Sequence, residues 1–419
     1  DREGGQGMSA QLGPQNAGAS GGVVPFWAAS NDVVFDNFTS DIWTPGAAVA
    51  NMFNGALAEL KTYGFINKLW LKLVASAAGS TGGTFGADSP ANFLDILRIT
   101  DPNGHAIIDA DSFGVYLLDK YCGRARNGDP FSYPNVTPTA LGTTVPASPQ
   151  FELLVPFCIN EEIGLGGLSD MDASGPYKIV AQGAASAAAG AHGLFSTAPT
   201  TTTPALQVQV GAEFFSLPGE TSRVNGQPQV QLPPLLDRGI AVVNEFTKQS
   251  LNALTVGTKT YKLQRVGNIL RQVILVARNS AGARIDWVAN VAAGTRISLT
   301  FDSIPLKDED PQHWITETFR KQTRGFVYDT GVLVYDRGDP NNILPYVETG
   351  LDGGLDSLQQ TAQTTALEIT FNAGSTLAAG SVDVYTSDIT VTNMVTGEKY
   401  AFAYGGQLLL PSPPGQIRS

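Results

Sequence analysis

The chain states nearly the same pattern twice, about 203 residues apart. The first statement is the apolar run Gly64 to Val74, a glycine-rich turn, the strand-like run Phe93 to Ile99, and an amphipathic helix opened by Asp111 and carried through Phe113 to Leu118. The second is Gly267 to Val276, a turn, Ile297 to Phe301, and a helix opened by Asp310 and carried through Trp314 to Phe319. The offsets agree: 267 − 64 = 203, 297 − 93 = 204 and 314 − 113 = 201. Repetition at this length means two similar domains in tandem, because solenoid and propeller repeats have much shorter periods. The alignment gives Trp314 the part that Phe113 plays: an aromatic near the start of a short helix lying against its barrel.

Size and composition agree with that division. A chain of 419 residues exceeds what one hydrophobic core usually organises. Only 15% of residues are charged, while 46 Gly and 25 Pro among many Thr, Val and Ala favour short strands joined by turns. Apolar or alternating runs appear at Phe151 to Phe157, Tyr177 to Ala181, Leu206 to Val210, Leu367 to Phe371 and Ser381 to Thr386. Gly325 to Asp329 and Val332 to Asp336 read as a hairpin-like pair, and Asn67 as an outward position in its strand. About eight strands per domain with one or two short helices fits an all-β chain of two tandem jelly-roll β-barrels, each of two packed four-stranded sheets. An immunoglobulin-type sandwich is too small for domains of this length.

The expected organisation is an extended arm over residues 1–34, a first jelly roll over 35–218, a linker over 219–234, a second jelly roll over 235–405 and a tail over 406–419. Asp1 to Gly22 is rich in Gly, Gln, Ala and Ser and too poor in core-forming residues to order alone. The patch Val23-Val24-Pro25-Phe26-Trp27 would dock the arm on a neighbouring subunit or on its own domain. Gly183 to Thr203 has no apolar face and reads as a long exposed loop.

Little in the sequence points to catalysis. The three histidines, His105, His192 and His313, lack the i+3 or i+4 spacing of a helical metal site. Glu161-Glu162, Asp170 with Asp172, and Asp308-Glu309-Asp310 formally allow a carboxylate pair, but exposed loop acids explain them. Asp101 to His105 with Asp109 and Asp111 has a superficial likeness to a calcium loop, without its glycine at the sixth position or glutamate at the twelfth. A turn followed by an N-capping aspartate accounts for the same residues. Gly164 to Gly167 lacks the lysine and strand-helix context of a phosphate loop. Arg337-Gly338-Asp339 and the sequons at Asn37 and Asn135 are short enough to arise by chance. Cys122 and Cys158 read as buried thiols. The net charge of −12 argues against gripping nucleic acid, which needs clustered Lys and Arg. No apolar run approaches the ~20 residues that span a bilayer as a helix.

The plan resembles the double jelly-roll major capsid proteins of tectivirus-like, membrane-containing icosahedral phages, the lineage of adenovirus hexon. Phe85-Gly86, Pro90 to Phe93, Asp101-Pro102-Asn103 and Val155-Pro156 look like blocks of the family's first domain. Asp310 to Trp314, the basic Arg320-Lys321 to Arg324 and the run Phe326 to Tyr335 look like the matching block of its second. The chain departs at its N-terminus, which is glycine-rich where the family carries a helical, membrane-facing arm. The resemblance implies a structural virion protein, a homotrimer forming pseudo-hexagonal capsomers of an icosahedral double-stranded DNA virus. Its partners would be neighbouring capsomers, vertex (penton) proteins, and minor capsid or membrane proteins over an internal membrane, with no sequence-specific nucleic-acid contact. It implies no catalytic residue, no cofactor and no metal. The alternative reading is a secreted or surface β-sandwich that binds carbohydrate, for which exposed aromatic platforms would speak.

Overall fold

The computed structural model describes residues 24–25, 31–36, 60, 64–75, 84–121, 130, 150–159, 166–169, 176–183, 194–197, 206–216, 223–224, 227–228, 230–231, 240–263, 268–290, 296–321, 327–336, 359–360 and 366–393. Cys122, His192, Glu161-Glu162, Asp170, Asp172, Arg337 to Asp339, both sequons, residues 1–22 and the tail lie outside the described residues.

The first repeat runs β1 (Asn31–Asp36), β2 (Gly64–Ala75), β3 (Leu94–Thr100), β4 (Ala106–Ala110), α1 (Ser112–Tyr121), β5 (Gln150–Pro156), β6 (Lys178–Gly183) and β7 (Leu206–Ser216). The second runs β8 (Ile240–Leu251), β9 (Gly257–Lys262), β10 (Ile269–Arg278), α2 (Trp287–Asn290), β11 (Ile297–Phe301), β12 (Ile304–Glu309), α3 (Pro311–Lys321), β13 (Val332–Asp336), β14 (Leu367–Ala373) and β15 (Ser381–Asn393). One sheet of the first repeat has the order β1-β7-β2-β5, and β8-β15-β10-β13 repeats it strand for strand. The facing sheets are β4-β3-β6 and β12-β11-β14-β9. Leu60 donates its N–H to the Tyr177 carbonyl (2.9 Å) where Leu263, just past β9, donates to Leu367 (2.7 Å), and 263 − 60 = 203.

Side-chain alternation builds two cores from these sheets. Leu69, Leu71 and Leu73 of β2 pack with Leu97 and Ile99 of β3 and Ile179 of β6, while Val273 and Leu275 of β10 pack with Leu299, Ile369 and Phe371. Their strand partners match as well: Leu69, Leu71 and Leu73 face Ala212, Val210 and Val208, and Val273, Leu275 and Ala277 face Thr386, Val384 and Val382. The equivalence of β2 and β10 is thus 273 − 69 = 204. The glycine alignment of 203 is one residue off, and one residue in a strand exchanges core for surface. A bulge falls at the matching place in each repeat, and it leaves Asn67 in β2 and Arg271 in β10 out of the ladder. Asn67, expected to point outward, is buried there, and so is Arg271.

Three other expectations change. Val332–Asp336 pairs with β10, and residues 327–329 form no strand against it, because Asp329 is drawn into the contact between the repeats. Within the expected loop 183–203, Phe195–Thr197 pairs with Thr84–Phe85 and Leu194 is fully buried, so Leu194 returns the chain to the core. The strand Asn31–Asp36 straddles the expected end of the arm and pairs along β7. Before it, Val24–Pro25 runs parallel to Val230–Gln231, a pairing within the chain for part of the patch whose docking on a neighbour or on its own chain the sequence left open.

The helices start as capped helices should. The Asp111 carboxylate accepts from Gly114 N–H (2.7 Å), and that of Asp310 accepts from Gln312 N–H (2.7 Å). The Asp111 carbonyl receives the Val115 N–H as the Asp310 carbonyl receives that of Trp314. Aligned on their caps, Trp314 therefore matches Val115 and not Phe113. Trp314 is buried in the second core with its indole N–H on the Val334 carbonyl (2.6 Å), whereas Phe113 faces the other repeat. The repeats also share one sheet. β8 pairs in parallel with β4, Phe246 against Ile108 and Thr247 against Asp109, giving the continuous order β13-β10-β15-β8-β4-β3-β6.

Candidate functional site at the seam between the repeats

Every residue of α1 is buried, which a helix carrying Asp119 and Lys120 achieves only between two bodies. One flank lies on β5 of its own barrel. The other meets the outer face of the second repeat, where Ile274, Val276, Val332 and Val334 alternate with the residues of that repeat's own core. Gly114 lets the helix approach: a Cβ there would fall within the ring of Tyr385. Tyr385 stacks on Phe246 (5.9 Å) and donates its hydroxyl to the Asp111 carboxylate (3.1 Å).

Eight buried or part-buried charges run along this seam in alternating sign. Asp111 meets Lys248 (2.7 Å), which reaches Asp383 (3.6 Å), and Asp383 binds Arg278 Nε (2.8 Å). Arg278 Nη1 meets Asp88 (2.5 Å), which binds Arg284 Nε (2.6 Å). Arg284 reaches Asp329 (3.6 Å), and Asp329 pairs with Lys120 (2.8 Å). The sequence of partners crosses between the repeats repeatedly, with Asp88, Asp111 and Lys120 from the first and the other five from the second. The Phe113 ring lies against both guanidinium groups, at 5.3 and 5.5 Å. The Tyr121 hydroxyl donates to Asp329 (3.1 Å) and accepts from its backbone N–H (3.1 Å).

Electrostatics keep Arg278, Lys248 and Asp383 charged. Burial by itself would lower the Arg278 pKa, but Asp88, Tyr385 and Asp383 outweigh it and hold it raised. Lys248 is raised in the same way: burial opposes its charge, and Asp111 and Asp383 more than restore it. Burial would raise Asp383, yet Lys248 and Arg278 hold its carboxyl below the usual range. Burial, then Asp111, pushes the Tyr385 phenol well up, so it stays a donor. Each carboxylate is committed to a cation, an arrangement suited to fixing two bodies in register.

No family model matches the chain, and no curated protein matches it in sequence. Solved structures do. A chain of the PBCV-1 virus capsid superposes with a TM-score of 0.55 at 13% identity, over 91% of this chain and 97% of that one. The STIV MCP gives 0.53 at 12% identity, over 85% of this chain and 96% of its own. The Faustovirus major capsid protein gives 0.51 at 9% identity, over 87% and 90%. The fold is the double jelly roll.

Within the double jelly roll, the acids weighed from the sequence are dispersed among separate structural tasks. Asp101 closes the β3–β4 turn by accepting the His105 N–H (2.7 Å), Asp109 pairs with Arg98 (3.0 Å), and Asp111 caps α1 in the seam. Asp308 binds Ser298 (2.6 Å) and Arg296 (3.3 Å), Glu309 lies 3.4 Å from Lys307, and Asp310 caps α3. His105 stands 3.5 Å from Glu245, and His313 3.9 Å from Glu309. Among the described residues no group of three His, Cys, Asp or Glu is placed to hold a metal ion. Cys158 is buried, as expected. The seam residues Asp88, Lys248, Arg278, Arg284, Asp329 and Asp383 escaped sequence reasoning. Alternation correctly turned Asp383 and Tyr385 out of their barrel, but period two says nothing of what covers that face. The signal available was Arg278, a charge closing the apolar run Val273 to Ala277.

Proposed function

We propose that this chain is a major capsid protein whose trimers present six jelly rolls as a pseudo-hexagonal capsomer in the icosahedral shell of a double-stranded DNA virus with an internal membrane. The observation that carries this reading is the extent of the structural likeness. It covers 85–91% of this chain and 90–97% of the capsid chains, so the paired arrangement is shared and not merely one barrel. The seam supports it too, since a subunit that bears load in a shell needs its two halves locked. In this reading residues 1–30 are an arm and 406–419 a tail that tie neighbours together, and the partners are adjacent capsomers, vertex proteins and minor or membrane proteins. Chemistry on a substrate has no part in it. Carbohydrate binding lacks a comparable support: among the described tryptophans, Trp287 and Trp314 are buried and Trp70 is only partly exposed. The test is native mass measurement followed by electron microscopy under assembly conditions. Trimers that build closed shells are expected. A species that stays monomeric at every concentration would sink the proposal.

A further inference from the structure

Lys120 and Asp329 end the seam's run of charges, and they meet in its driest part. Lys120 Nζ lies 2.8 Å from Asp329 Oδ2, with the two side chains 1% and 5% exposed. Other lysine pairs are wetter: Lys72 and Glu152 are 25% and 16% exposed, Lys248 and Asp111 23% and 13%. Two phenols complete the setting. The Tyr116 hydroxyl accepts from Lys120 Nζ (2.9 Å) and faces Asp329 Oδ1 as a donor (3.4 Å), so it bridges amine and carboxyl. The Tyr121 hydroxyl donates to Oδ2 (3.1 Å). Burial, then the charge of Asp329, pushes the Tyr121 phenol well up, so it stays a donor. Both rings flank Nζ, at 5.3 and 5.9 Å.

The two groups are also held in place. Lys120 and both tyrosines sit on α1, which is buried along its whole length. Asp329 opens the turn into β13: its carbonyl accepts the Val332 N–H (3.1 Å), and its own N–H donates to the Tyr121 hydroxyl (3.1 Å). A nucleophile fixed against a carboxyl in this way reacts as though at an effective concentration of about 10⁵ M or more. Away from water the ion pair loses much of its advantage over the neutral amine and acid, because burial disfavours charge.

We infer that Lys120 and Asp329 condense into an amide, an isopeptide bond that staples the first repeat to the second. One proton passes from the ammonium through the Tyr116 hydroxyl to Oδ1, which leaves a neutral amine, the nucleophilic form of lysine, beside a carboxylic acid. The Nζ lone pair attacks Cγ, and the negative charge that develops on Oδ2 is met by the Tyr121 hydroxyl. A second proton follows from nitrogen to Oδ1, the Cγ–Oδ1 bond breaks and Oδ1 leaves as water. The third proton stays as the amide N–H. One cation and one anion vanish together, and nothing is oxidised or reduced. The terminal position of the pair suits this loss. Arg284, 3.6 Å from Oδ1, keeps Asp88 at 2.6 Å, so three cations still alternate with three acids along the seam. Lys248 does not share the role: against the pull of burial, Asp111 and Asp383 hold it charged. The bond lies within one chain and is independent of assembly into a shell.

The deciding measurement is the intact mass of the full-length protein under denaturing conditions. The staple gives a mass about 18 Da, one water, below that of the sequence. In a tryptic digest, cleavage after Lys120 should be lost and its peptide joined to the one that carries Asp329. Lys120→Arg and Asp329→Ala should show their full sequence masses. Both should migrate more slowly than wild type on a denaturing gel, since the bond closes a loop of 329 − 120 = 209 positions. Tyr116→Phe keeps the ring and removes the relay, so in a time course after synthesis it should link about ten-fold more slowly or worse. A tyrosine that only packs would leave that rate unchanged. Wild type that holds its full sequence mass after prolonged incubation, folded at neutral pH, overturns the inference and leaves a plain ion pair. This result needs no variant, so a substitution that fails to fold does not blunt it. Loss of water with normal cleavage after Lys120 places the reaction elsewhere and overturns it as well.

Discussion

Arg278 carries the seam more than any other side chain. Its guanidinium holds Asp383 and Asp88 at once, lies against Phe113 and is buried with both acids. Replacing it with methionine would leave two buried carboxylates short of a cation, and removal of one partner from a buried pair typically costs about 3–5 kcal/mol. Denaturant titration of Arg278→Met against wild type checks this. The same network sets a pH window. Asp383 is held below its ordinary value, so its contribution is full above the unfolded pKa near ~3.9 and disappears as pH falls through the lower folded value. Lys248 is held above its ordinary value, so its contribution is full below ~10.4 and is lost as pH rises through the higher folded value. Stability measured across pH should therefore drop below about 4 and above about 10, and Lys248→Met should flatten the alkaline limb. Trp314→Ala, which empties a buried indole site and frees the Val334 carbonyl, should cost roughly 3–5 kcal/mol. A loss under about 1 kcal/mol would mean the indole packs far less tightly than its burial indicates.

The elements show where a sequence informs and where it stops. Ile297–Phe301 and both capped helices were legible because each has a local cause: alternation in the strand and an aspartate whose carboxylate meets the first free N–H groups of the helix. β8 and β9 were not legible, since their runs Ile240–Leu251 and Gly257–Lys262 mix Thr, Lys, Gln and Asn with few apolar residues on a clear period. They are strands because long neighbours impose the ladder, β15 on β8 and β14 on β9. The β2–β10 register was misread by one residue because the second repeat carries one residue more between Leu263 and Leu270 than the first between Leu60 and Ile66, and the period of a strand does not count its approach. Apart from Arg278, nothing local marks the seam, whose eight charges come from segments up to 295 positions apart, 383 − 88. At the N-terminus, β1 belongs to the first barrel from Asn31 onward, and among the described residues ahead of it Val24–Pro25 pairs over two residues. Deleting residues 1–30 should therefore leave folding and trimers intact while shell assembly fails or yields aberrant particles, read by sedimentation under assembly conditions.

At the scale of the molecule the two repeats should behave as one thermodynamic unit. The first core cluster runs from Leu69 and Phe93 through α1 to Ile274, Val334 and Tyr385 of the other repeat, so unfolding one barrel strips the other of apolar cover. Calorimetry of the wild type should show a single transition, and Arg278→Met should broaden it or split it in two. The parallel pairing of β8 with β4 has a further consequence. Each of these strands is the last of its own sheet, and an open strand margin invites any passing chain to add itself. Here each margin is closed by the other, over the two residue pairs Phe246–Ile108 and Thr247–Asp109. A half-molecule cut between the repeats would thus lose more than its neighbour. It would expose a bare row of amide and carbonyl groups, and its fate would be to stick to its own kind through backbone contacts that the intact chain never offers.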